Sequence, residues 1–142
     1  MKIAIGSDHA GFELKAKLLE YLISKNVEVV DKGTYSLDRA DYPDYGHAVA
    51  TAVLDHSVQW GILMCGSGNG IAMSANKHAG IRAALCWNDE ITSLARLHND
   101  ANILVLPARY ISIELAYKCI DTFLNTAFEG GRHQSRIEKI DI

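Results

Sequence analysis

Trp60-Gly61-Ile62-Leu63-Met64-Cys65-Gly66-Ser67-Gly68-Asn69-Gly70-Ile71-Ala72-Met73-Ser74-Ala75-Asn76-Lys77 decides how this 142-residue chain folds. Trp60 to Met64 is a short apolar run that reads as a buried strand. Gly66, Gly68 and Gly70 then let the backbone turn tightly and come close to a ligand. From Ile71 onward the residues are good helix formers, so a helix opens near Gly68 or Asn69. A strand, a glycine loop and a helix N-terminus present free N–H groups and a positive dipole end, which suits an anion. Cys65 heads this loop, where both features favour its thiolate.

Familiar phosphate loops fail on spacing. A dinucleotide fingerprint needs a third glycine where Ile71 stands, and a Walker A loop needs Lys-Ser/Thr after Gly70, which is followed by Ile71-Ala72. Cysteine-dependent phosphatases carry an arginine six positions after the nucleophile, and that position is also Ile71. The plainer alternative is a structural turn with Cys65 as a small buried hydrophobe.

Outward from the loop, strand and helix alternate along the whole chain. Lys2 to Ser7 reads as a first strand and Phe12 to Ile23 as an amphipathic helix with Phe12, Leu18, Leu19 and Leu22 inward. Val27 to Asp31 is a second strand. Lys32 to Asp44 is polar and reads as a long loop, and Tyr45 to Asp55 as a helix. Gly80 to Cys86 is a fourth strand, Asp89 to Leu97 a helix capped by Asn88, and Ala101 to Leu106 a fifth strand. Ile111 to Leu124 is a helix with Leu115, Ala116, Cys119, Ile120 and Phe123 at core spacing. After Gly130-Gly131, Arg132 to Asp141 has the charge pattern of one more short helix. Near-continuous apolar strands in this order predict one α/β domain over residues 1–142, a five-stranded parallel sheet with helices on both faces.

Composition agrees. The chain is 49% hydrophobic and 22% charged, as in ordinary soluble proteins. A net charge of −3 argues against general nucleic-acid binding. No apolar run approaches a membrane span, the first residues are too soon charged for a signal peptide, and Cys65, Cys86 and Cys119 form no Cys-x-x-Cys pair. A reducing compartment, the cytoplasm, is expected.

Ligands of parallel sheets sit at the carboxyl ends of the strands. That rule gathers Ser7-Asp8-His9, the 32–44 loop, Cys65 to Gly70, Cys86-Trp87 and Pro107-Ala108-Arg109 at one edge. Asp8 could equally be a helix cap and His9 a surface residue. His98-Asn99-Asp100 precedes the fifth strand and belongs to the opposite, amino edge. His98 is therefore either a solvated turn residue or part of a neighbouring subunit's site. Arg132 and Arg136 are four apart and share a face of a helical tail, where they either bind an anion or are solvated. His47, His56, His78 and His133 show no metal-ligand spacing and read as structural or surface residues.

The set Gly6-Ser7-Asp8-His9-Ala10-Gly11, Asp41-Tyr42-Pro43-Asp44, Cys65 to Gly70, Ala75-Asn76-Lys77, Gly80-Ile81-Arg82-Ala83, His98 to Asn102 and Glu129-Gly130-Gly131-Arg132-His133 resembles type B ribose-5-phosphate isomerase. Ser67 stands where many relatives have threonine, which keeps the hydroxyl. The superfamily includes allose-6-phosphate and galactose-6-phosphate isomerases, so a six-carbon sugar phosphate is the alternative substrate. The resemblance implies a Rossmann-like fold, no metal or organic cofactor, and a homodimer, or a tetramer of paired dimers, with sites at the subunit interface. It further implies Cys65 as the base for an aldose–ketose isomerisation, Ser67 as a proton relay and the N–H groups from Gly66 through Gly68 and Asn69 to Gly70 as an oxyanion cradle. Asp8 would hydrogen-bond the sugar, Tyr42 would pack beside it, and His98 and Asn99 of the partner would open the ring and hold the enediolate. His9, Arg132, Arg136 and the partner's Arg109 would clamp the phosphate, as a bidentate guanidinium suits. A non-catalytic sugar-phosphate sensor or a cysteine phosphoryl-transfer enzyme are the competing classes. The sensor has no use for a thiolate, and the transferase lacks its arginine.

Overall fold

The computed structural model describes residues 1–142. Five strands, β1 (Lys2–Ser7), β2 (Glu28–Asp31), β3 (Trp60–Cys65), β4 (Ala83–Leu85) and β5 (Ile103–Pro107), form one sheet in the order β2-β1-β3-β5-β4. Every neighbouring pair is parallel. Four helices connect them, α1 (Phe12–Ser24), α2 (Tyr42–Leu54), α3 (Asn69–Ala75) and α4 (Asp89–Asn99), and α5 (Ile113–Asn125) and α6 (Gln134–Ile137) follow the last strand.

Alternation along the strands splits the core into two layers, because successive side chains point to opposite faces. Ile3, Ile5, Ile62, Met64, Leu104 and Leu106 pack with Leu18 and Leu22 of α1, Ala95 of α4, and Cys119 and Phe123 of α5. Ala4, Leu63, Cys65, Ile103 and Val105 face Val49 and Val53 of α2 and Ile71 and Ala75 of α3. The predicted sheet with helices on both faces is therefore the one that forms.

Among the boundaries that differ from the expectation, three have a clear physical cause. The 32–44 loop ends at Asp41, because Pro43 lies in the first turn of α2, where a missing N–H costs no helical hydrogen bond. Tyr42 thus opens a helix instead of closing a loop. The fourth strand shortens from Gly80–Cys86 to Ala83–Leu85. Gly80 has φ +85°, its N–H donates to Asp141 Oδ2 at 2.8 Å and its O accepts from Asn102 Nδ2 at 2.8 Å, so side chains hold it outside the regular strand ladder. α5 opens at Ile113 because Ser112 Oγ accepts from Leu115 N at 3.2 Å and fixes the cap.

Candidate active site

The sheet order reverses between β1 and β3: the chain leaves β1 toward β2 on one side and returns past it to β3 on the other. A crevice at the carboxyl ends follows from that reversal. Ser7 pairs with Met64 in the register, so Asp8 and Cys65 leave the sheet side by side. Asp8 is buried, and its carboxylate accepts from Gly11 N at 3.2 Å, which places it as the cap of the short turn into α1. Cap and candidate site residue are thus one and the same position. His9 Nδ1 lies 3.2 Å from Ala40 N and 3.3 Å from Ala40 O, which ties the ring to the 32–44 loop and leaves Nε2 without a bond of its own.

Cys65 ends β3 and is 5% exposed, while Cys86 and Cys119 are 0% exposed. Burial pushes the Cys86 thiol up to about 11 and also raises Cys119, so both are inert packing groups. After Cys65 the loop is shaped by close approaches. Gly68 has φ +81° and caps α3, and a Cβ there would drive into Leu85 Cδ1. A Cβ on Gly70 would overlap the ring of Tyr42, so the two residues are matched across the crevice. Ser67 Oγ accepts from Asn69 N at 3.2 Å and from Asn69 Nδ2 at 3.3 Å, while remaining solvent-exposed. Arg109 N donates to Gly66 O at 3.0 Å, and its guanidinium nitrogen comes within 3.2 Å of where a Gly66 Cβ would stand. Arg109 and His9 also line one groove of about 460 Å³, together with Lys17 and Glu13.

A second cluster gathers at the end of α4. Arg96, 4% exposed, stacks its guanidinium 4.3 Å over the Trp60 ring and donates from Nη1 to Ala101 O at 2.6 Å, which fixes the last turn. Two residues on, His98 stacks on His133 with ring centroids 4.2 Å apart and planes 18° from parallel. Glu129 N donates to Leu97 O at 3.1 Å and brings the tail against this turn. Asn99 and Arg132 are exposed beside the pair, and Arg136 lies one turn on from Arg132 in α6. Burial, and then the charge of Arg132, hold His133 below its ordinary 6.5, so it stays neutral near pH 7. His98, Glu129 and His133 place their ligand-type atoms within 4.8 Å of one another. Because the two rings are nearly parallel, their in-plane lone pairs do not converge on a point where one ion could sit.

The predicted residues therefore divide. Asp8, His9, Tyr42, Cys65, Gly66 to Gly70 and Arg109 share the carboxyl edge, while His98, Asn99, Arg132 and Arg136 share the other region. Within one chain the four candidate phosphate ligands are therefore separated. Arg109 lies with the chain's own His9 and loop, and Arg132 with its own His98. The cause is chain direction: Arg109 follows β5 out of the carboxyl edge, whereas the tail returns to the end of α4. Sequence reading missed Glu129 and the burial of His133, since contacts across 31 and 35 positions leave no local spacing. It also missed Lys15, which is 1% exposed and donates to Asp31 Oδ1 at 2.6 Å and to Thr34 O at 2.5 Å.

Comparison with known proteins places this geometry. The family described as Ribose/Galactose Isomerase matches residues 3–140. Ribose-5-phosphate isomerase B of Escherichia coli is 49% identical over 139 residues, covering 98% of this chain and 93% of that protein. A ribose 5-phosphate isomerase from Thermotoga maritima superposes with a TM-score of 0.98 at 56% identity, over 99% of this chain and 97% of the other. Ribose-5-phosphate isomerase B from Mycoplasma genitalium, solved with bound ribulose-5-phosphate, gives 0.93 at 45% identity, over 98% and 93% of the two chains.

Proposed function

This chain belongs to the ribose/galactose isomerase family, and on that premise we propose that it interconverts ribose 5-phosphate and ribulose 5-phosphate through a cis-enediolate. The observation that carries the reading is the side-by-side exit of Asp8 and Cys65 at the switch point of the sheet, with the glycine loop beneath.

Cys65, as thiolate, removes the proton from C2 of the open-chain aldose. The electron pair forms the C1=C2 bond and the carbonyl pair moves to O1. Backbone N–H groups of residues 66 to 70 face that oxyanion, a contribution of about 3–4 kcal/mol for a well-placed donor. Ser67 Oγ carries a proton from O2 to O1, and the thiol, whose proton exchanges with solvent while the enediolate is bound, protonates C1, which leaves the ketose. Asp8 hydrogen-bonds the sugar and Tyr42 packs beside it. His9 and Arg109 hold the phosphate from this chain.

The site is completed by a second copy. β3 spans six residues, so the two edges of the sheet lie about 15–20 Å apart. Acid–base work needs hydrogen-bond contact, so His98 cannot serve the Cys65 of its own chain. A two-fold dimer brings His98, Asn99, Arg132 and Arg136 of one subunit over the carboxyl edge of the other. His98 then opens the furanose ring and the tail arginines complete the phosphate clamp.

Turnover of ribose 5-phosphate in deuterated water tests the reaction: ribulose 5-phosphate should form with solvent deuterium at C1. No isomerisation of any aldose phosphate would overturn the reading. Faster turnover of allose 6-phosphate or galactose 6-phosphate would move the substrate to six carbons and leave the chemistry in place.

A further inference from the structure

Glu129 takes no part in the chemistry above, yet its carboxylate is the only acidic group shared by two functional elements of the second cluster. Oε1 lies 3.5 Å from Arg132 Nη1. Oε2 lies 3.8 Å from His98 Nε2 and 3.8 Å from His133 Nε2. At that distance the two imidazoles are within reach of its charge but are not hydrogen-bonded to it. The backbone N–H of Glu129 is bonded to Leu97 O, the residue before His98, so the tail is tied to the turn that carries the ring.

Beneath them His133 is buried and its Nε2 has no hydrogen-bond partner. Stacked 4.2 Å from His98, it confines that ring to one plane. It does not fix where in that plane the nitrogens point. A carboxylate facing Nε2 does, because it favours the rotation that keeps an N–H directed at it.

We propose that Glu129 is a positioning residue for ring opening: it sets the in-plane orientation of His98 and couples it to phosphate binding through Arg132. The inference rests on the reading of His98 as the ring-opening group. In that step the proton of the C1 hydroxyl is removed, the C1–O4 bond breaks with its pair on O4, O4 is protonated, and C1 becomes the aldehyde. One imidazole can serve both transfers only while its nitrogen stays aligned with O1 and O4. When a phosphate engages Arg132, the guanidinium turns from Oε1 toward the dianion, and the carboxylate is left to the two imidazoles, of which His98 is the exposed one. Substrate binding thereby prepares the opening step.

Ribulose 5-phosphate provides the test, because its C5 oxygen is esterified and it has no furanose to open. Exchange of its C1 hydrogen with solvent deuterium needs the base and the enediolate but not His98. Glu129 is 46% exposed, so the isosteric Glu129→Gln leaves the fold intact. Turnover of ribose 5-phosphate should fall about tenfold, a part of the 10²–10⁴ of a general acid–base group, while C1 exchange stays within about twofold. KM for ribose 5-phosphate should not rise, since Arg132 loses a competitor for the phosphate. Equal loss of turnover and exchange, or loss of neither, would overturn the assignment. Absence of C1 exchange in the unmutated protein would instead overturn the isomerase reading, and this inference with it.

Discussion

The carboxyl edge and the end of α4 hold their functional groups in opposite ways. At the carboxyl edge the backbone does the holding. Ser7 N donates to Gly33 O and Thr34 N to Ser7 O, each at 2.7 Å, and Ala108 N donates to Cys65 O at 3.0 Å. Residues from four separate chain segments are locked around Asp8 and Cys65, both nearly fully buried. The end of α4 is held by side chains: a ring stack, ion contacts of 3.5–3.8 Å and a helix α6 of four residues, with Arg132 and Arg136 exposed. On the proposed mechanism, a base that must meet one carbon atom is placed on rigid strand ends, whereas groups that capture a phosphate are long, solvated and adaptable. The contrast fits a site made of a preformed half and a half delivered by a partner.

Replacing the base is the severest way to break the preformed half. Cys65→Ala should reduce isomerisation by at least about 10², with sugar-phosphate binding retained, as expected for loss of a general base. Activity within about tenfold of the parent, measured by ketose formation, would remove Cys65 from that role. Its burial relative to Cys86 and Cys119 sharpens the point, since a thiol reagent should modify Cys65 first.

Lys15 tests whether the carboxyl edge is stitched as tightly as its hydrogen bonds suggest. Lys15→Met leaves Asp31 and Thr34 O without their cation under a nearly closed surface. Asp31 keeps 29% exposure, so the cost should fall at the low end for a broken buried pair, about 3 kcal/mol by urea unfolding. A change under about 1 kcal/mol would show that the loop is held by its backbone bonds alone.

Mixing two inactive variants probes the division itself. Cys65→Ala and His98→Asn, combined and allowed to exchange subunits, should recover about a quarter of the parent activity: half the dimers are mixed and half of their sites are intact. If exchange is demonstrated by mass spectrometry and no activity returns, both residues act within one chain.

The smallest expected effect is a pH dependence of stability from His133. Burial, the Arg132 and Arg136 charges and the neighbouring His98 lower its folded value, opposed by Glu129. The unfolded chain therefore binds a proton that the folded chain refuses. Stability should be level above about pH 6.5 and fall as pH drops through the ordinary histidine value toward the lowered one. In His133→Phe, which preserves the stack, that part of the slope should disappear from thermal melts between pH 5 and 7. An unchanged slope would assign it to other groups.

Much of this was legible before any coordinates. The apolar runs at 2–7, 60–65 and 103–107 dictate buried parallel strands, because no polar face remains to be solvated. Cys65 and Gly66 to Gly70 announce a tight turn into a helix, and Asp8 and His9 follow a strand into the same edge. These are local facts, encoded in the order of neighbouring residues. What the tertiary structure alone decided is non-local. Gly70 is small because Tyr42, opening α2 and not closing a loop, occupies the space beside it. Arg109 joins His9 because of where β5 ends, and Glu129 meets His98 because the tail returns to the last turn of α4. No periodicity records such meetings, since they depend on where distant elements cross and on which atoms are then left without a partner. Local patterning sets the period and direction of each element. Only packing of the whole chain sets which side chains share a point in space.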